Sequence, residues 1–318
     1  MSSGLTVEEI FRDKGEILEL DLLTDGTPME APVEDPDISS PGLALAGFTD
    51  RFPAGRMQVF GETEMTYLGS LEPAAARDNL QLLFSHNVPA VFITKGQEVP
   101  PELIEIAERN GTPVMRSSLT TRDFFRRIKP ILEEKLAPST NLHGSLADVY
   151  GVGLLVVGQS GIGKSECVLD LVERGHRLVA DDVVMVSRRG NDVLIGRGHE
   201  LQRHHMEIRG IGIIDVRTLF GIRAIRQQKR IEVVVHLEQW QNDRVYDRTG
   251  LETEHQDILD VRLPRVTVPL VPGKNITVVA EVVAMNHLLL FSGIDAAAEF
   301  DRRLQEALTS EYLREDYE

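Results

Sequence analysis

The pattern of apolar and polar positions in the first third of the chain predicts a small α/β unit. Residues 90–94 form a short run of β-branched and aromatic side chains that ends at Gly96, which is typical of a buried strand. Pro101 then opens a segment with apolar residues at helical spacing, and Asn110-Gly111 ends it. Val114-Met115 begins a second strand. This order of strand, helix and strand contains no catalytic constellation.

A stronger pattern follows in the middle of the chain. Residues 153–157 are apolar almost without interruption, as in a buried strand of an α/β sheet, and they lead into a glycine-rich stretch. The next apolar residues fall on one helical face, and Gly175 stops that helix. Residues 178–180 then read as a strand that ends at Asp181-Asp182. The predicted order is therefore strand, glycine-rich loop, helix and strand.

Proline and serine mark the boundary between these two parts. The segment 130–141 contains Pro130 and the run Pro138-Ser139-Thr140, so we predict a linker there. We therefore expect an N-terminal α/β domain over residues 1–134 and a second domain over residues 135–318. The second domain ends in a helical segment, because apolar residues recur there at helical spacing, namely Phe300, Leu304, Ala307 and Leu308.

Composition narrows the class of protein. The chain has 318 residues, a formal charge of −16 and 42% apolar residues, which is typical of a globular protein with a sizeable core. The acidic balance argues against a nucleic-acid partner, and no apolar run approaches the ~18 residues of a membrane helix. Cys167 is the single cysteine, so an intramolecular disulfide is excluded. These features, with no signal-peptide pattern at the first residues, predict a cytoplasmic protein.

The glycine-rich stretch matches the pattern G-x-x-x-x-G-K-S of a phosphate-binding loop (Walker A). Its backbone N–H groups and the start of the following helix would face the phosphates of ATP. Lys164 would reach the β- and γ-phosphates, and the hydroxyl of Ser165 would bind Mg²⁺. The loop residues are Gly158, Gln159, Ser160, Gly161, Ile162, Gly163, Lys164 and Ser165.

A phosphate-binding loop does not by itself name a reaction. Kinases, ATPases and switch GTPases all use it. The chain has no N-K-x-D guanine signature, and the D-x-x-G match at residues 247–250 is too short to be specific. A kinase for a small molecule, and a switch that binds ATP without transferring phosphate, therefore remain open at this point.

Six segments together resemble the bifunctional HPr kinase/phosphorylase family of bacteria. They are His143-Gly144, G-Q-S-G-I-G-K-S-E at 158–166, R-G-H-R-L-V-A-D-D at 174–182, M-E-I-R-G-I-G-I-I-D-V at 206–216, Asp247-Arg248 with Gly250, and P-L-V-P-G-K-N at 269–275. The resemblance implies an ATP- and Mg²⁺-dependent kinase that phosphorylates a regulatory serine of the phosphocarrier HPr. It also implies the reverse reaction, in which inorganic phosphate attacks phosphoserine and pyrophosphate is released. Members of the family form hexamers through the phosphate-loop domain.

The same resemblance implies roles for particular residues. Asp182 would accept the serine proton and return it in the reverse reaction, with Asp181 as its close competitor or as a carboxylate associated with Mg²⁺. Glu207 would be the second protein ligand of Mg²⁺. His143 and Arg248 would surround the transferring phosphoryl group. The remaining motif residues of interest are Arg209, Gly210, Gly212, Asp215, Pro269, Pro272, Gly273 and Lys274.

One position departs from the family pattern. The family usually has arginine in a P-G-R-N segment that is associated with dephosphorylation, and this chain has Lys274 there. Arginine binds phosphate with a planar fork, whereas lysine offers a point charge. The substitution is compatible with the kinase activity and bears on the strength of the phosphorylase activity.

Overall fold

A computed structural model of the chain describes residues 4–241, 243, 246, 254–271 and 273–315. The backbone divides into two compact units, Met1–Ala137 and Pro138–Glu318. Each has its own sheet and its own apolar core, as an independent domain should. The predicted two-part α/β organisation is therefore observed.

The first unit is built on a four-stranded sheet in the order β1-β4-β3-β2, with β2, β3 and β4 parallel and β1 antiparallel to β4. Helix α1 begins at a capping box, in which Thr6 accepts from the N–H of Glu9 and the carboxylate of Glu9 accepts from the N–H of Thr6. The elements are α1 (Val7–Leu18), β1 (Leu20–Leu22), α2 (Gly42–Leu45), β2 (Gln58–Phe60), α3 (Glu62–Ser70), α4 (Pro73–Ser85), β3 (Val91–Ile93), α5 (Pro101–Arg109), β4 (Val114–Ser117) and α6 (Thr121–Lys135). The predicted strand, helix and strand over 90–115 are confirmed as β3, α5 and β4.

Apolar side chains cover both faces of this sheet. Phe92 of β3 packs against Phe124 of α6, with ring centroids 5.0 Å apart, on one face. Leu83 of α4 and Ile106 of α5 belong to the core on the other face. A sheet that is buried on both faces explains why the strand segments read as continuous apolar runs.

The second unit contains a six-stranded sheet in the order β15-β16-β14-β7-β6-β8, a four-stranded sheet in the order β13-β10-β9-β5, and the hairpin β11-β12. Its strands are β5 (Ser139–His143), β6 (Ser145–Val149), β7 (Val152–Gly158), β8 (Arg177–Ala180), β9 (Val183–Arg189), β10 (Val193–Gly198), β11 (His205–Ile208), β12 (Gly212–Asp215), β13 (Gln228–Arg230), β14 (Val233–Gln239), β15 (Glu254–Ile258) and β16 (Val261–Leu270). Its helices are α7 (Lys164–Glu173), α8 (Val216–Phe220), α9 (Ile276–Phe291) and α10 (Ala296–Glu315).

Helices α7 and α9 cover one face of the six-stranded sheet. Val168 and Leu171 of α7 share a core cluster with Ala280 and Ala284 of α9 and with Val156 of β7. The strand, loop, helix and strand predicted over 153–180 are confirmed as β7, the loop, α7 and β8. Cys167 lies in this core, and burial raises the pKa of its thiol to about 12, so it is not a candidate nucleophile.

One expectation about the chain changes, and another is observed. The division between the two units, at Ala137 and Pro138, lies within the predicted linker over 130–141, but most of that segment is regular structure, because α6 continues through Pro130 to Lys135 and β5 begins at Ser139. The terminal helix exists as α10, but Phe300 is 68% and Leu308 is 51% exposed, so this face is not docked within one chain. None of the described helices is by itself long and apolar enough to cross a bilayer. α9 and α10 satisfy that test only when they are taken together, with a bend of 74° between them.

Candidate active site

The chemistry-bearing segments meet at one edge of the six-stranded sheet. Strands β7, β14 and β16 are parallel, and β8 runs in the same direction because both it and β7 are antiparallel to β6. Their carboxyl ends therefore share an edge, which is where ligands bind in open α/β sheets. At this edge lie Gly158, Asp181, the segment that begins at Pro269, and Ser145 at the start of β6.

The glycine-rich loop connects β7 to α7 at this edge. Gly163 is the N-cap of α7 and has a φ of 102°, a left-handed conformation that glycine adopts without strain. A Cβ at Gly158 would lie 2.5 Å from the carbonyl oxygen of Leu237. Lys164 is 7% exposed, and its Nζ donates to the carbonyl oxygens of Gly158 and Gln159 at 3.1 and 3.0 Å. The lysine thus holds the loop around its own ammonium group.

Asp181 is a buried carboxylate beside the loop. Its Oδ1 accepts hydrogen bonds from the hydroxyls of Ser145 at 2.5 Å and of Ser165 at 3.0 Å. Its Oδ2 is also buried and has no hydrogen-bond partner within the described part of the chain. Burial raises the pKa of Asp181, and the hydrogen bonds from Ser145 and Ser165 oppose that rise.

Asp182 and His143 form a second, more exposed pair. Oδ1 of Asp182 lies 3.2 Å from Nδ1 of His143, and both side chains are about half exposed. Asp182 has a φ of 66°, which aspartate and asparagine tolerate better than most residues. The N–H of Gly144 donates to the carbonyl oxygen of Asp182, which ties the two segments together. The structure thus separates the two adjacent aspartates into a buried one and an accessible one.

The hairpin β11-β12 reaches the loop through Arg209. A Cβ at Gly161 would lie 2.5 Å from a guanidinium nitrogen of Arg209, so this arginine lies directly over the loop. Glu207, two residues earlier, is exposed in β11 and pairs in register with Ile213. Gly210 and Gly212 have φ values of 84° and 98° and shape the turn between the two strands.

Other predicted site residues have local structural contacts. Asp215 is the N-cap of α8 and accepts from the N–H and the hydroxyl of Thr218. Pro269 lies in β16 and Gly273 has a φ of 84°. Nζ of Lys274 donates to the carbonyl oxygen of Pro269 at 3.1 Å. Asp247, Arg248 and Pro272 lie outside the described residues.

Ser145 is a residue of this site that the sequence reasoning missed. It is fully buried, and its hydroxyl makes the shortest contact to Asp181 described above. Its position directly after His143-Gly144, at the start of a strand, was the available signal. A lone serine in an apolar strand predicts nothing until the fold places it opposite a carboxylate.

The donor set at the loop fits Mg²⁺. This ion takes oxygen ligands and is usually bound by one or two protein groups together with substrate phosphates. Two such oxygen atoms lie beside the loop on hydrogen-bonded side chains. They are the hydroxyl oxygen of Ser165 and the unpaired Oδ2 of Asp181. Among the described residues, no group of three or more His, Cys, Asp or Glu side chains could form a metal site made by the protein alone.

Two family models match the chain, one over its N-terminal part and one over its C-terminal part. The model of the HPr Serine kinase N terminus matches residues 5–132, and that of the HPr Serine kinase C-terminal domain matches residues 134–304. An HPr kinase/phosphorylase of Chloroherpeton thalassium is 49% identical over 294 residues, covering 89% of this chain and 86% of the relative. One of Geobacillus thermodenitrificans is 46% identical over 297 residues, covering 93% and 96%. The solved Hpr(Ser) kinase/phosphatase of Coxiella burnetii aligns at 32% identity, with a TM-score of 0.46, over 51% of this chain and 98% of that one. With both family models matched in order and relatives this similar over most of their length, the chain belongs to the HPr kinase/phosphorylase family.

Proposed function

We propose that this chain transfers the γ-phosphoryl group of ATP to a serine of the phosphocarrier HPr, and that it also catalyses phosphorolysis of phosphoserine-HPr. The observation that carries the proposal is the meeting of two features at one sheet edge. One is the loop with Lys164 and Ser165, and the other is the accessible pair Asp182 and His143. A phosphate-binding loop supplies the donor site, and a carboxylate beside it supplies the base that an alcohol acceptor needs.

The loop would bind the phosphates of ATP. Its backbone N–H groups and the N-terminus of α7 favour negative charge. Lys164 is already held over the loop by two carbonyl oxygens and would turn its charge towards the β- and γ-phosphates. Arg209 lies over Gly161 and would add a second cation, at the point where charge develops on the transferring group.

Mg²⁺ would be held by the hydroxyl of Ser165, with Glu207 as a second protein ligand and the unpaired Oδ2 of Asp181 as a carboxylate oxygen associated with the ion. When bound, the ion would neutralise charge on the phosphates and align them for transfer. Asp181 and Ser145 would orient Ser165, because both serine hydroxyls donate to the same carboxylate oxygen.

Asp182 would carry the proton in both directions. In the forward reaction the seryl oxygen bonds to the γ-phosphorus, the bond from that phosphorus to the β,γ-bridging oxygen breaks so that ADP leaves, and the seryl proton passes to Asp182. In phosphorolysis an oxygen of inorganic phosphate bonds to the phosphorus of phosphoserine, and the bond from that phosphorus to the seryl oxygen breaks. Protonated Asp182 gives its proton to the departing seryl oxygen, and pyrophosphate is released. His143 lies 3.2 Å from the carboxylate and would orient it. Arg248 is proposed on the family resemblance to surround the transferring phosphoryl group.

Incubation with HPr, ATP and Mg²⁺ tests the proposal directly. We expect mass spectrometry to find one phosphoryl group on a serine of HPr. Addition of inorganic phosphate should then remove that group and release pyrophosphate. Radiolabelled ATP separates the alternatives, because a small-molecule kinase labels a metabolite and a non-catalytic switch labels nothing. The single cysteine is consistent with action in the cytoplasm.

Lys274→Arg should shift the balance between the two directions. The segment 269–275 lies at the carboxyl end of β16, on the same edge as the loop, and would bind the incoming phosphate. A planar guanidinium binds phosphate in two places, whereas the ammonium offers one charge. We expect the ratio of phosphorolysis to kinase rates to rise above that of the wild type. An unchanged or lower ratio, measured under one set of conditions, would contradict this role.

We further propose that the chain assembles into a hexamer through the phosphate-loop domain. The support is a stripe on α9, made of Val278, Val282, Met285 and Leu289, whose side chains are 41–52% exposed although they recur at i, i+4, i+7 and i+11. An exposed apolar stripe at this spacing is typical of a helix that packs against a helix of another subunit. Light scattering should give the mass of a hexamer for the wild type and of a smaller species for Val282→Glu with Leu289→Glu.

Truncation after Gly293 should weaken the use of HPr as a substrate more than it weakens the binding of ATP. The truncation removes α10, whose Phe300, Leu304 and Leu308 present an apolar face that is not covered within one chain. The loop and both aspartates are retained. We therefore expect the KM for HPr to rise while the affinity for ATP stays near that of the wild type. An equal loss of both, or a loss of folding, would assign α10 a structural role instead.

A further inference from the structure

Two polar contacts connect helix α7 and its C-cap residue to helix α9. The hydroxyl of Thr277 donates to the carboxylate of Asp170 at 3.2 Å. One turn later, Arg174 donates to Glu281 through two nitrogens at 2.8 and 2.6 Å. His176 lies on the same carboxylate, with Nε2 3.1 Å from Oε1 of Glu281. We call the Thr277–Asp170 and Glu281–Arg174/His176 contacts the α7–α9 ladder.

The ladder shows that the two helices run in the same direction with a fixed register. Both of its rungs join residues 107 positions apart in the sequence, one helical turn after the other. The small buried residues Ala280 and Ala284 line the same face of α9 and would tolerate sliding along α7. A displacement by one turn would be about 5.4 Å. The polar contacts therefore select the register, because only one register pairs all of these groups.

Glu281 is the residue on which the register depends most. It is 5% exposed, and a buried carboxylate without its partners is strongly unfavourable. Its fork with Arg174 fixes distance and orientation, since both carboxylate oxygens are used. His176, 7% exposed, is held in place by the ring of Tyr150, whose centroid lies 4.6 Å away at 83°.

The register bears on the reaction because each helix begins at a part of the candidate site. α7 begins at Lys164, directly after the loop. α9 begins directly after Asn275, so its N-terminus is continuous with the segment 269–275 that contains Lys274. The loop leaves the sheet at the end of β7 and is tied again by the hydrogen bond from Ser165 to Asp181. The Lys274 segment leaves the sheet at Leu270, the last residue of β16, and the further hydrogen bond of Lys274, to the carbonyl oxygen of Pro269, stays within that segment. A shift of α9 would therefore displace Lys274 more than Lys164.

We propose that Glu281 is a positioning residue that holds the Lys274 segment level with the phosphate loop, and that phosphorolysis depends on it more than the kinase reaction does. This inference rests on the proposed function. A displacement of about 1 Å at a reacting group can cost on the order of 10²-fold in rate, so a shift of α9 much smaller than one helical turn is sufficient. The expected consequence is a weaker site for inorganic phosphate with a nearly unchanged site for ATP.

The test compares both directions in three full-length variants. Glu281→Gln keeps the shape of the side chain and removes its charge. Arg174→Gln removes the other partner of the same ion pair, and because the side chain of Arg174 is about half exposed, this change endangers folding less. Val172→Ala is the matched control, because it removes buried volume from α7 but leaves the ladder intact. We expect the KM for inorganic phosphate to rise about 10- to 100-fold in the first two variants, with the KM for ATP and the kinase kcat changed by less than about threefold. Val172→Ala should keep the wild-type ratio.

Three results with the variants overturn the inference. They are a wild-type KM for phosphate in both ladder variants, an equal loss in both directions, or the same shift of the ratio in Val172→Ala. A wild type that phosphorylates HPr but shows no phosphorolysis would also overturn it. A wild type that does not phosphorylate HPr at all would instead overturn the proposed function on which it rests.

Discussion

Lys164→Ala should bring both directions of phosphoryl transfer to the limit of detection, a loss of about 10³-fold. Lys164 is 7% exposed, and its ammonium group lies at the loop, where its charge would face the β- and γ-phosphates in either direction. No other side chain of the loop is positively charged. The measurement is the rate of HPr phosphorylation and the rate of pyrophosphate release by the same preparation, with thermal unfolding as the check on folding.

Lys164→Met is the control for the packing of the lysine stem. Methionine fills a similar apolar volume without a charge, whereas alanine also leaves a void in the loop. If the charge is responsible, both variants lose activity equally. A folded Lys164→Met protein with near-normal rates in either direction would show that the stem, and not the charge, is what the reaction needs.

Asp182→Asn should reduce both directions by about 10²- to 10⁴-fold, which is the usual range for a general acid–base group. Asparagine has the same shape and tolerates the positive φ of 66° at this position, so the backbone should not change. It can still interact with His143, but it does not take up the serine proton. Binding of ATP should persist, because the loop and Lys164 are untouched.

Asp181→Asn is the matched comparison, since it makes the same chemical change at the neighbouring residue. Its carboxylate is buried and accepts from Ser145 and Ser165, so we expect its loss to raise the Mg²⁺ concentration needed for half-maximal activity. The pair of variants therefore separates proton transfer from metal binding. If Asp182→Asn retains one direction and Asp181→Asn abolishes it, the base is Asp181.

Local patterns in the sequence were sufficient for β7, α7 and β8, whereas β5 and β6 were not predicted. The apolar run at 153–157 and the helical spacing after Lys164 depend on neighbours within a few residues, and β7 and α7 lie where they were expected. The boundary between the two units lies within the predicted linker, but the linker does not begin at Pro130, because this proline lies inside α6. The buried face of α6, with Phe124, Ile128 and Leu132, stabilises the helix through this proline.

The sequence by itself determined the family motifs, the phosphate-binding loop and the residue types at the candidate site. Only the tertiary structure decided which of these residues share one place. Asp181 and Asp182 are neighbours in the chain, yet one is buried against Ser145 and Ser165 and the other lies exposed beside His143. The register of α9 on α7 is likewise set by pairs 107 residues apart. Periodicity reports which face of an element is buried, whereas burial of one particular carboxylate depends on distant residues that the fold brings against it.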